Sequence, residues 1–155
     1  MLKEEAKKEI MEKREQEAEE QKELTLDDFI SKSLDCLNNR KDVEYLLVKG
    51  LGKIPFSRPS DNELLKYLNA SAKGAALDEE GKAKMIDMTP IAIASKTLVY
   101  QSCKYLHDKR LLEKADVEEP FDVAFKLFGI SETIDLAGRI SDIFGSNEVS
   151  KKIKN

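Results

Sequence analysis

Residues 43–63 read VEYLLVKGLGKIPFSRPSDNE, a strand pattern that runs into a capped helix. Val43 to Val48 is rich in β-branched and aromatic residues, Gly50-Leu51-Gly52 supplies a turn, and Ile54 and Phe56 resume an alternation. The pattern predicts a short β-hairpin in which Pro55 lies on an edge, because proline cannot donate to a ladder. Directly after it, Ser60-Asp61-Asn62-Glu63 has the capping-box spacing, with Pro59 before it. A helix is predicted to start there and to carry Leu64, Leu65 and Leu68 to about Ala72. A hairpin of this length needs helices over one face to be stable, so the passage from strand pattern to capped helix implies an α+β domain.

The flanks of this stretch are helical. On the N-terminal side Leu24-Thr25-Leu26-Asp27-Asp28-Phe29 places Thr25 to cap the N–H of Asp28, with Leu24 and Phe29 set for a hydrophobic staple. The helix that follows, from about Leu26 to Leu37, has an apolar stripe of Leu26, Phe29, Ile30, Leu34 and Leu37. On the C-terminal side, residues 73–82 contain two glycines and little periodicity and read as an exposed loop. Thr89-Pro90 reads as an N-cap with proline at the first helical position. From Pro90 to about Leu106 apolar residues, Ile91, Ile93, Ala94, Leu98, Val99, Cys103 and Leu106 among them, wrap most of the circumference. Lys96, Tyr100 and Lys104 form one narrow polar stripe, so this is the expected central core helix. A polar connection through Asp108-Lys109-Arg110 leads to a short helix opened by Pro120 and stopped by Gly129. A last helix, capped by Ser131 and carrying Ile134, Ala137, Ile140 and Phe144, ends at Gly145.

The predicted architecture is therefore predominantly helical α+β, a short β-hairpin packed against about five helices. Residues 1–23 hold nine Glu and six Lys or Arg with few apolar positions and read as a charged, solvated helical extension that a protease should trim to about Leu24. Residues 24–145 form a single domain, and 146–155 a flexible polar tail.

Composition narrows the function. The 155 residues carry a net charge of -4, which argues against affinity built on phosphate neutralisation, so no nucleic acid is expected as a partner. No window is apolar enough to span a membrane and the N-terminus is not signal-like, which predicts a cytoplasmic protein with no membrane partner. Cys36 and Cys103 are too sparse for a disulfide framework and read as reduced thiols.

Catalytic chemistry finds little to stand on. Cys103 and His107, the only histidine, have i,i+4 spacing, but three such ligands with Cys36 fall short of a structural zinc site, and a helix-interior thiol among Val99 and Leu106 should be buried and inert. Gly50-Leu51-Gly52-Lys53 is not a phosphate loop, since Leu47 stands where a Walker glycine is required and Ile54 replaces the hydroxyl residue. The carboxylates lie mostly in the extension, loops and helix starts, where they are solvated. A binding protein is expected, with no catalytic, cofactor or metal site.

The order LTLDDFI, then KIPFSRPSDNELLKYL, then LVYQSCKYLHDKRLLEKADV running into PFDVAFKLFGISETIDLAGRISDIFG resembles the XkdN-like phage tail assembly chaperones of contractile-tailed phages and phage-tail-like particles. The resemblance covers residues 24–145 by pattern. It implies a non-catalytic chaperone in the host bacterial cytoplasm that binds the tape measure protein and helps recruit tail tube protein. The competing reading is a structural or adaptor component retained in the tail; self-association stays open. Under the chaperone reading, the crowding of Phe121, Phe125, Phe128, Ile134, Ile140, Ile143 and Phe144 into two short helices predicts a patch reserved for a partner. Its residues are Ile143, Phe144, Phe125 and Phe128, with Ile143 foremost because it lies off the main stripe.

Overall fold

The computed structural model describes residues 2–145, so the polar tail expected at 146–155 lies outside the described residues. Contacts divide the chain after Asn39 into two compact units. The first holds two helices, α1 (Leu2–Glu20) and α2 (Leu26–Asn38). The second holds β1 (Val43–Val48), β2 (Gly52–Ser57), α3 (Asp61–Lys73), β3 (Ala75–Leu77), β4 (Ala83–Met85), α4 (Thr89–Ser102), α5 (Lys109–Ala115), α6 (Val123–Phe128) and α7 (Ile130–Phe144), with 3-10 turns at Lys104–His107 and Pro120–Asp122. The chain is a predominantly helical α+β protein, as the hairpin and capped helices predict.

β1 and β2 pair antiparallel with Tyr45 opposite Pro55 and Leu46 opposite Ile54. The bond from Arg58 N–H to the Asp42 carbonyl, 2.7 Å, fixes which residues exchange ladder bonds: the even-numbered ones face each other and the odd-numbered ones turn their backbone groups outward. Pro55 thus sits where no N–H is missed. On the opposite edge, Arg139 of α7 donates to the Leu47 carbonyl at 3.0 Å, and the Lys49 N–H donates to Glu132 at 3.4 Å. The helix side chains occupy backbone groups that would otherwise invite another strand. The inner face of the hairpin puts Leu46, Val48 and Phe56 into the core with Leu64, Tyr67, Leu98, Val99, Leu136 and Ile140.

α3 begins as predicted: Ser60 accepts from the Glu63 N–H at 3.2 Å, and the Glu63 carboxylate accepts from the Ser60 N–H at 3.1 Å. It buries Leu64 and Tyr67, while Leu65 and Leu68 are exposed. α4 packs chiefly on α7 and α3 and buries Ser95, Leu98, Val99 and Ser102. It is the central helix expected, but it ends at Ser102 and not near Leu106, because Cys103 is extended and a 3-10 turn follows, and it differs in two further respects. Ile93 is exposed, because a helix apolar nearly all round does not announce which side is covered. The Lys96 and Tyr100 stripe is not solvated: Lys96 forms an ion pair with Asp122 and lies 5.7 Å from the centre of the Phe125 ring. Tyr100 meets Phe121 and His107 with ring centroids 4.8 and 4.3 Å apart.

Other expectations are corrected. The segment read as a loop over 73–82 contains β3 and the start of a second hairpin, held by Asp78 Oδ1 accepting from the N–H groups of Glu80 and Lys82. Thr89 does not cap α4; it is the first helical residue, and Asp87 accepts its N–H at 3.0 Å. The polar connection after His107 contains α5, capped by Asp108. Ser131 is already inside α7, which follows directly from Gly129. Thr133 secures that junction, its Oγ1 lying 2.7 Å from the Gly129 carbonyl and 3.2 Å from that of Ala124.

Candidate functional site

α2 is built locally as its sequence dictates. Thr25 is extended at the N-cap (φ -70°, ψ 161°) and its Oγ1 accepts the Asp28 N–H at 3.2 Å, while Asp27 and Asp28 suit the positive helix end. The Asn39 N–H closes the other end on Asp35 and Leu37 carbonyls. What the helix does with its apolar face is unusual. Leu26, Phe29, Ile30, Leu34 and Leu37 are between 46% and 72% exposed, and α2 has no buried residue. Fully covering such side chains is worth roughly 1.5–3 kcal/mol each, and a lone helix of 13 residues is marginal in water. The face is therefore both a large reserve of binding energy and a helix that gains order when covered. Cys36, exposed, lies seven residues after Phe29 and so on the same side.

The residues singled out in the final third are placed differently. Phe144 is buried at 3% exposure in the core, where Arg58 stacks 5.2 Å from its ring centre. Ile143 and Phe128 are half-buried and packed against the core, and Phe125 is half-buried beneath Lys96. The crowding is relieved because α4 and α5 both pack on α6, and α4 on α7, which provides cover that two short helices alone could not. The structure sets Phe125 and Phe128 on α6, beside the first turn of α7, and Ile143 and Phe144 in the last turn of α7, so the four do not share one open patch. At the junction of α6 and α7 the exposed apolar residues are Leu127 and Ile130, which the stripe-based reading passed over.

The chemistry-bearing residues stand apart. Cys103 ends α4 with an extended backbone (φ -115°, ψ 102°), so the i,i+4 relation to His107 does not persist. The thiol is buried, and burial pushes its pKa up, which leaves it unreactive. His107 is exposed, its Nε2 2.8 Å from the Tyr100 carbonyl. Among the described residues no group of three or more His, Cys, Asp or Glu could hold a metal ion. A shallow cleft lies between Leu77, Lys84 and Ile86 and the acidic turn at Asp78 to Glu80, open to solvent and without a desolvated titratable group. No helix of the described residues is long and apolar enough to cross a membrane.

Comparison of the chain with family models, with curated proteins and with solved structures returns no match.

Proposed function

We propose that the protein is a non-catalytic phage tail assembly chaperone, acting in the host bacterial cytoplasm, that holds the tape measure protein in solution while tail tube protein is recruited. The observation that carries this reading is the exposed apolar face of α2, a helix of the LTLDDFI segment on which the resemblance to XkdN-like chaperones begins. A chaperone for a long helical client needs a surface that waits uncovered and can pair with many similar helices; a stripe of Leu, Ile and Phe at helical spacing is suited to that. Capture through α2 also leaves the core of the second unit untouched.

The test is co-expression with a tape measure fragment that is insoluble alone. The wild-type chain should keep it in solution, and a Leu26→Asp, Leu37→Asp double variant should lose the rescue while remaining folded, since a charge disfavours a desolvated contact but costs little at an exposed site. If the wild-type chain rescues no segment and is found stoichiometrically in finished particles, the protein is a structural tail component instead.

A further inference from the structure

The charges of the chain are unevenly divided, and the division points to a partner of particular chemistry. Residues 1–39 carry twelve acidic and seven basic side chains, a net of -5. The rest of the chain carries eighteen acidic and nineteen basic, a net of +1. All of the protein's net negative charge therefore accompanies α2, the helix whose apolar face is exposed. Asp27, Asp28 and Asp35 take part in no ion pair among the described residues.

We propose that the apolar face of α2 is a docking surface for a basic amphipathic helix of another protein. This rests on the binding reading above and names the chemistry of the partner. The apolar residues recur over three turns at the spacing that lays one helix along another. Unpaired carboxylates beside such a stripe steer an oppositely charged helix toward it and reject an acidic one. A second copy of this chain is disfavoured on the same ground, because pairing two α2 faces would bring a charge of -5 against another.

The full-length chain can be tested with two synthetic amphipathic peptides of about five helical turns, identical on their leucine face, one flanked by Lys and one by Glu. Binding is read by anisotropy of the labelled peptide and by the alkylation rate of Cys36, the exposed thiol on this side of α2, with Cys103 buried. The Lys-flanked peptide should bind at least about tenfold more tightly at low ionic strength, the gap narrowing with salt, and should slow alkylation of Cys36. Leu34→Asp should abolish this binding although it adds a negative charge, and Asp27→Lys with Asp28→Lys should shift preference toward the Glu-flanked peptide. Equal affinity for the two peptides overturns the proposal. So does undiminished binding of the Lys-flanked peptide to Leu34→Asp, which would mean attraction to the acidic extension alone. Protection of Cys36 by raising the protein concentration without peptide would assign the face to a second copy. Peptide binding without rescue of a tape measure fragment would leave this chemistry standing and remove the chaperone reading; rescue without peptide discrimination would do the reverse.

Discussion

Arg58 joins three parts of the second unit through one guanidinium. Its Nε and one terminal nitrogen donate to the Lys41 carbonyl at 3.0 and 2.7 Å, and the other donates to the Phe144 carbonyl at 2.7 Å. The Phe144 carbonyl belongs to the last turn of α7, where no intrahelical donor remains and the helix dipole favours a cation. Hydrogen bonds to charged groups are worth about 1.5–3 kcal/mol each and are not additive, so Arg58→Ala should lower stability by roughly 2–4 kcal/mol, measured by urea unfolding. Arg58→Lys should recover only part of this, since a point charge cannot span both carbonyls; full recovery would mean that charge alone matters. The glycines of α7 make a second residue-scale contrast. Gly129 (φ 83°, ψ 164°) occupies a region essentially closed to side chains, so Gly129→Ala should cost roughly 1–3 kcal/mol. Gly138 is helical, and a Cβ there would meet only the Tyr67 hydroxyl at an ordinary 3.9 Å. Gly138→Ala should therefore stabilise by roughly 0.5–1 kcal/mol. Thermal midpoints moving in the same direction for both would refute the argument.

At the scale of elements, the parts legible in the sequence were those with a local chemical signature. The Ser60 box, the Thr25 cap, the glycine turn at Gly50 and the Gly129 stop each satisfy specific backbone groups or a specific φ, so their positions could be read directly. β3 and β4 were missed because three-residue strands carry no alternation; the turn at Asp78, whose carboxylate organises two N–H groups, was the signal present. α5 was missed for its high charge, although Asp108 followed by Leu111, Leu112 and Ala115 marks a capped helix with an inward side. That cap has a pH signature. Arg110 beside Asp108, helped by the N–H groups of Arg110 and Leu111, lowers the carboxyl from its ordinary 3.8 to about 2. A depressed carboxylate contributes above its ordinary pKa and loses that contribution as pH falls through the folded value. The α5 cap should hold to about pH 3 and loosen below about 2. The Arg110 and Leu111 amide shifts should titrate with a midpoint near 2 and cease to titrate in Asp108→Asn; a midpoint at the ordinary value would show that the Arg110 contact does not persist. The candidate site was legible only in half: periodicity identified the apolar stripe of α2, but not whether anything covers it.

For the molecule as a whole, the consequence of the division after Asn39 is that folding and binding can be separated by truncation. Among the described residues, every member of the buried apolar core, from Leu46 to Phe144, lies in the second unit, and neither α1 nor α2 contributes a buried side chain. Since stability comes chiefly from apolar area removed from water, a fragment of residues 40–145 should unfold cooperatively with nearly the thermal midpoint of the full chain. It should nevertheless lose the capture of a helical partner, because α2 is gone. Limited proteolysis should show the same boundary, with resistance beginning near Arg40 and not near Leu24, where the domain was expected to start. Ending the chain before α7 should have the opposite effect, since Leu136, Ala137, Ile140 and Phe144 are all buried there and losing even one such leucine costs roughly 2–5 kcal/mol. The decisive comparison is the shape of the two melting curves: a 40–145 fragment that melts without a cooperative transition would mean that α2 belongs to the folding core, and its apolar face would then be a packing surface and not a binding one.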